Sequence, residues 1–184
     1  MRKLLLAVSL SLGLSTPIFA QNVSVNPGST VGNIALKSTN GTNYDFGAQK
    51  AAKGFIVVFM TPSCDHCRAY EKRVIALDKK YKTKGYPVVA IGPYGDYPNE
   101  YPLDAMPQMK QLAISQGFTF PYLSDVKFKY TNLFGIQKTP TVVILQKKPN
   151  GLLITYRGRI DDELDVKKVP KHKFVEEQMA KLLK

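Results

Sequence analysis

The stretch Phe55-Ile56-Val57-Val58-Phe59-Met60-Thr61-Pro62-Ser63-Cys64-Asp65-His66-Cys67, FIVVFMTPSCDHC, joins an apolar run to the only two cysteines of the chain. A continuous run of β-branched and aromatic residues, without polar alternation, is the pattern of a strand covered on both faces. The period then changes. Tyr70, Val74, Leu77 and Tyr81 fall at steps of four, three and four, which predicts a helix over 68–82 with one buried stripe. Lys72, Arg73, Lys79 and Lys80 take the wet side, and Gly85 is the stop signal.

The same alternation continues on both sides of this junction. Residues 31–46 read as a hairpin turning at Asn40-Gly41. PVVAIG (87–92) and TVVILQ (141–146) are two further buried strands. Asp104 is expected to cap a helix reaching about Gln116, ended by Gly117, and Asp125 to cap a short helix through Leu133, ended by Gly135. Asn150-Gly151 turns the chain into a return strand over 152–157, and a helix over 173–183 closes it. Strand–helix alternation with a terminal hairpin and helix is a three-layer α/β plan. In such sheets the loops beyond the carboxyl ends of parallel strands carry the chemistry, and TPSCDHC lies in such a loop.

The start of the chain bounds the compartment. Met1-Arg2-Lys3 is cationic, LLLAVSLSLGL (4–14) is a short apolar run, and STPIFA (15–20) ends on a small residue. This is the layout of a secretory signal peptide cleaved after Ala20. The expectation is a periplasmic or otherwise exported protein, not membrane-spanning after cleavage, with one domain over 21–184. Two cysteines are too few for a disulfide scaffold. The net charge is +12 and falls to +10 once Arg2 and Lys3 are removed. The lysines are scattered, which favours solubility over a binding stripe, and no nucleic-acid motif is present.

Cys64 opens the expected helix and Cys67 follows one turn later on the same face. The first helical turn offers unpaired N–H groups and a partial positive charge, and both stabilise a thiolate. Cys64 is therefore the candidate attacking sulfur, and Cys67, further inside, the resolving one. Protonated His66 favours the thiolate and Asp65 opposes it, so their combined effect has no sign from sequence. A structural zinc site needs four ligands, and Cys64, Cys67, His66 and distant His172 are a poor set. A permanent staple across so short a loop gains little. No metal and no cofactor is expected.

These residues resemble a known family. FIVVFMTPSCDHCRAYEKRVIAL is similar to the active-site segment of the thioredoxin superfamily. GIQKTPT (135–141) resembles its second signature, which ends in a cis-proline before a strand. The length, the front hairpin and GLLITYRGRIDD at the back resemble the redoxin branch: alkyl hydroperoxide reductase/thiol-specific antioxidant relatives and TlpA/ResA-type exported oxidoreductases. The resemblance covers most of 31–184. It implies a thioredoxin-like α/β/α sandwich with a central mixed sheet and an N-terminal β-hairpin. It also implies that Thr139 and Pro140 lie against the cysteines and hold an extended substrate segment by strand addition. Protein disulfides and dithiols become the implied partners, with a membrane electron carrier to recharge the pair.

The chain departs from that family in two places. Ser63 stands where relatives carry tryptophan before the first cysteine, and Val58 where many carry a buried carboxylate that moves the proton of the inner thiol. Glu71, read here as a surface helix residue, is the replacement candidate for that proton relay.

The function expected from these residues is an exported thiol-disulfide oxidoreductase working through Cys64–Cys67. Two alternatives stand beside it. Thr61, three residues before Cys64, and TPSC itself resemble peroxiredoxins of the bacterioferritin-comigratory type, which would make Cys64 a thiol peroxidase. That family, however, expects proline at Val57, arginine near Thr139-Pro140, and another spacing of its second cysteine. The other alternative is a non-catalytic partner-binding module whose contact surface is the tyrosine- and proline-rich loop PYGDYPNEYP (93–102).

Overall fold

The structure, a computed structural model, describes residues 24–165 and 167–184. The expected signal peptide lies outside the described residues. The chain runs β1 (Thr30–Val31), β2 (Ala35–Lys37), β3 (Asn43–Asp45), β4 (Gly54–Phe59), α1 (Asp65–Tyr81), β5 (Val88–Gly92), α2 (Met106–Ser115), β6 (Tyr122–Ser124), α3 (Lys129–Leu133), β7 (Thr141–Lys148), β8 (Gly151–Gly158) and α4 (Phe174–Leu182). Six strands form one mixed sheet in the order β1-β8-β7-β4-β5-β6, and β2 and β3 form a separate hairpin. This is a thioredoxin-like α/β fold with a front hairpin.

Strand β4 is the sheet's centre. It pairs parallel with β5 and antiparallel with β7. All six of its residues are buried, because alternate side chains enter two different cores. Ile56 and Val58 join Val74, Leu77, Met109 and Met179 on the face covered by α1, α2 and α4. Phe55, Val57 and Phe59 join Phe46, Tyr130 and Phe134 on the face covered by the hairpin and α3. A strand buried on both faces has no wet side, which is why its sequence shows no alternation. Gly54 opens the strand where a Cβ would meet the Leu145 carbonyl at 2.2 Å and the Tyr86 ring at 2.4 Å.

The predicted stripe of α1 is buried as expected: Tyr70, Val74, Leu77 and Tyr81 all face the core. Four expectations need correction. The hairpin is narrower than 31–46, because Val31 instead pairs with Leu152 at the sheet edge. Arg73 is not on the wet side; its guanidinium is paired with the buried Asp161 at 2.9 Å. Asp104 does not cap α2, whose N-cap is Ala105 without a side-chain bond. Glu71 is not a surface residue but is buried. Asp125 does serve the short helix, although from five and six residues away: its carboxylate accepts the N–H groups of Tyr130 and Thr131 and the Thr131 hydroxyl. Gly85, Gly117 and Gly135 all sit at positive φ at the stops expected of them.

Candidate active site

Strand β4 ends at Phe59, and the loop 60–64 carries the chain from the strand's carboxyl end into α1. Cys64 is the N-cap residue of that helix. An N-cap normally offers an oxygen to the unpaired amides of the first turn; here sulfur does so. The Cys67 N–H donates to Cys64 Sγ at 3.2 Å. On its other side Cys64 Sγ donates to the Thr139 carbonyl at 3.4 Å, and the Thr139–Pro140 bond is cis. The sheet therefore brings together four of the residues named from sequence, because β7, which follows Pro140, is the antiparallel neighbour of β4.

The two thiols are unequal. Cys64 is half-buried, whereas Cys67 is 1% exposed and packs in the α1-side core. Burial first, then the adjacent Cys64 sulfur, pushes the Cys67 thiol up to about 12. Desolvation penalises the thiolate, so Cys67 holds its proton until something takes it.

The residues between the cysteines point outward. Asp65 is ion-paired with Arg68 on the exposed side of the first turn. His66 is exposed and lines a shallow groove with Tyr70, Lys138, Thr139, Pro140 and Arg159. Glu71 lies one turn beyond Cys67 on the buried side. Its Oε1 has no hydrogen-bond partner, and burial raises its pKa, only partly offset by Arg68.

Two features of the site were not read from sequence. Tyr122, fully buried on β6, donates its hydroxyl to the Met60 carbonyl at 2.7 Å. Burial, then the Cys67 charge, then Asp104 and Glu71, hold its phenol well above the ordinary range. The second is Asp104, whose carboxylate accepts the Ser63 N–H at 2.8 Å and the Ser63 hydroxyl at 2.7 Å. No local pattern announces either contact, because the partners are far apart in the chain. The tyrosine loop packs on itself and on the turn before α3: Tyr94 stacks on Tyr101 at 4.1 Å and Tyr97 on Phe128 at 4.7 Å.

Comparison with known proteins agrees with this geometry. A match to the AhpC/TSA family covers residues 27–162. The chain belongs to the AhpC/TSA family. Among curated proteins, none matches. Among solved structures, an uncharacterized conserved protein from Geobacillus kaustophilus is 25% identical with a TM-score of 0.66, covering 75% of this chain and 71% of that one. A putative thiol:disulfide interchange protein DsbE from Chlorobium tepidum is 19% identical with a TM-score of 0.64, over 88% of this chain and all of that one. The peroxidoxin BcpB from Mycobacterium tuberculosis is 15% identical with a TM-score of 0.62, over 85% and 95%. At such identities the last two speak to the fold. The AhpC/TSA chain is thus a thioredoxin-like redoxin with a CxxC pair, and oxidoreductase chemistry is the activity class that family and fold support. Among the described residues, no helix is long and apolar enough to cross a membrane.

Proposed function

We propose that this redoxin is an exported thiol-disulfide oxidoreductase that exchanges disulfides with protein substrates. The observation that carries the reading is the unequal sulfur pair: an accessible N-cap sulfur beside a buried thiol pushed up to about 12. In the reducing direction, the Cys64 thiolate attacks one sulfur of a substrate disulfide. A mixed disulfide forms and the first substrate sulfur leaves as thiolate. Cys67 then gives up its proton and attacks Cys64 Sγ, releasing the second substrate sulfur. Two electrons pass to the substrate, and the Cys64–Cys67 disulfide remains, to be recharged by a membrane electron carrier. Run backwards, the same steps oxidise a dithiol.

Glu71 is assigned to receive the Cys67 proton. A buried carboxylate with an unpartnered oxygen, its pKa raised by burial, takes up a proton more readily than an exposed one. Thr139 and Pro140 are assigned to holding the substrate chain, since they line the groove beside His66 and lie next to the attacking sulfur. Asp65 and His66 are assigned to tuning the Cys64 sulfur; the Asp65 charge is paired with Arg68.

Trapping tests the reading. Cys67→Ser should accumulate mixed disulfides between Cys64 and exported proteins, visible as reducible adducts, while Cys64→Ser should yield none. Adducts in neither variant would end the exchange proposal. Amino-terminal sequencing of the exported chain should begin at Gln21. Family membership also favours a second reading, peroxide reduction at Cys64 with Thr61 beside it. Rapid consumption of hydrogen peroxide, with a sulfenic acid on Cys64 in Cys67→Ser, would favour it.

A further inference from the structure

Asp104 is a buried charged group that the exchange steps leave unused. It is 7% exposed, and among the described residues no lysine, arginine or histidine forms an ion pair with it. Both of its oxygens are engaged by a single residue, Ser63, one by the N–H and one by the hydroxyl. A carboxylate withdrawn from water without a counter-ion is costly unless hydrogen-bonded. Releasing Ser63 would strand that charge, so the contact is a firm one.

Ser63 is peptide-bonded to the attacking cysteine. Cys64 holds its N-cap backbone (φ −79°, ψ 112°) and both contacts of its sulfur only while the 63–64 peptide stays in place. A small hydroxyl residue occupies position 63, and the restraint on it comes from Asp104, 41 residues along the chain. On its far side Asp104 ends the tyrosine segment. The Asp104 N–H donates to the Tyr101 carbonyl at 3.0 Å, the Tyr101 N–H donates to that of Tyr97 at 2.8 Å, and the Met106 N–H donates to that of Gly95 at 3.0 Å. Stacking of Tyr94 on Tyr101, and of Tyr97 on Phe128, braces the same segment. Phe128 reaches its stacking position with a left-handed backbone, φ 54°.

We propose that Asp104 is a positioning residue for Cys64: through Ser63 it fixes the attacking sulfur, and it makes the reactivity of that sulfur depend on the tyrosine segment. The inference rests on Cys64 being the attacking thiol. A mere loop staple would affect stability alone. A positioning carboxylate also affects rate and redox equilibrium.

The test uses the full chain with Asp104→Asn, Ser63→Ala and the double variant, each followed by thermal unfolding. Asp104→Asn keeps the volume, removes the charge and turns one acceptor into a donor facing the Ser63 donors. Reduction of 2-hydroxyethyl disulfide should slow about tenfold in Asp104→Asn and about threefold in Ser63→Ala, as expected for losing most or one of two hydrogen bonds that hold a reacting group. The double variant should stay within about twofold of Asp104→Asn, because both changes cut one link. The Cys64–Cys67 equilibrium with glutathione should move at least about threefold in Asp104→Asn, since the Ser63 contacts that fix the Cys64 sulfur among its partners are lost. A lowered Tm with rate and equilibrium both unchanged would overturn the inference, as would losses that multiply in the double variant. Should Asp104→Asn fail to fold, Ser63→Ala decides: a threefold loss sustains the inference and no loss overturns it. Should the unmodified chain reduce no disulfide at all, the exchange reading is what fails. The rate of Cys64 alkylation by iodoacetamide across the same variants then reads the positioning instead, with the same threefold loss in Ser63→Ala expected.

Discussion

Glu71→Gln sets stability against function at one atom. Glu71 is 6% exposed and its Oε1 has no hydrogen-bond partner. An unsatisfied buried polar atom costs about 1–3 kcal/mol, more when charged. Burial raises the folded-state pKa. Between the ordinary carboxylate range and that raised value, the native state keeps a proton that the unfolded chain has released. Stability therefore falls as pH rises through this window, and the penalty is complete above the folded pKa. Glutamine has nearly the same shape and does not titrate. Below the window the two chains should melt alike. Above it Glu71→Gln should be more stable by about 1 kcal/mol, the low end because the amide still carries an unpaired polar atom. For a chain of this size that is a rise in Tm of about 2–4 °C. Thermal unfolding of both proteins across about pH 4 to 8 measures the difference. The same substitution should slow release of a mixed disulfide by about a hundredfold, the low end for losing a general base, seen by stopped flow with a preformed Cys64 adduct. A melting temperature that responds to pH identically in both proteins would refute the electrostatic reasoning. Unchanged release would remove Glu71 from proton transfer.

Other outcomes follow from packing and thiol chemistry. At about pH 8, iodoacetamide should label Cys64 and leave Cys67 untouched, because burial holds its proton; peptide mass mapping that finds Cys67 modified in the folded protein contradicts the burial argument. Gly54→Ala should lower the urea midpoint, with a cost of about 1–3 kcal/mol or more, since the atoms a Cβ would meet are a strand carbonyl and the Tyr86 ring. Arg73→Ala strips the buried Asp161 of its cation while Tyr70 still donates to it. The expected loss is about 3–5 kcal/mol, and equal stability of the variant in chemical denaturation would show that water replaces the guanidinium.

Wherever a single segment carries its own instructions, the sequence alone determined the outcome. The unbroken apolar run of β4 marks a strand buried on both faces, and the stripe Tyr70, Val74, Leu77, Tyr81 marks one face of α1. Their junction places Cys64 at a helix start, where unpaired amides meet its sulfur. Glycines at 85, 117 and 135 stop their elements because they alone take positive φ without penalty. The tertiary structure decided everything that depends on a partner elsewhere in the chain. Asp104 has the local pattern of a helix cap, but Ser63 offers two donors to one carboxylate, and that contact outweighs a cap bond. Glu71 looks like a surface residue on charge alone, yet the turn that buries Cys67 carries it inside as well. Arg73 is drawn off the wet face by a buried Asp161 that arrives with the segment after β8. Periodicity encodes which face of an element is apolar. Which polar groups meet across that face depends on how separate elements pack, and no local pattern records it.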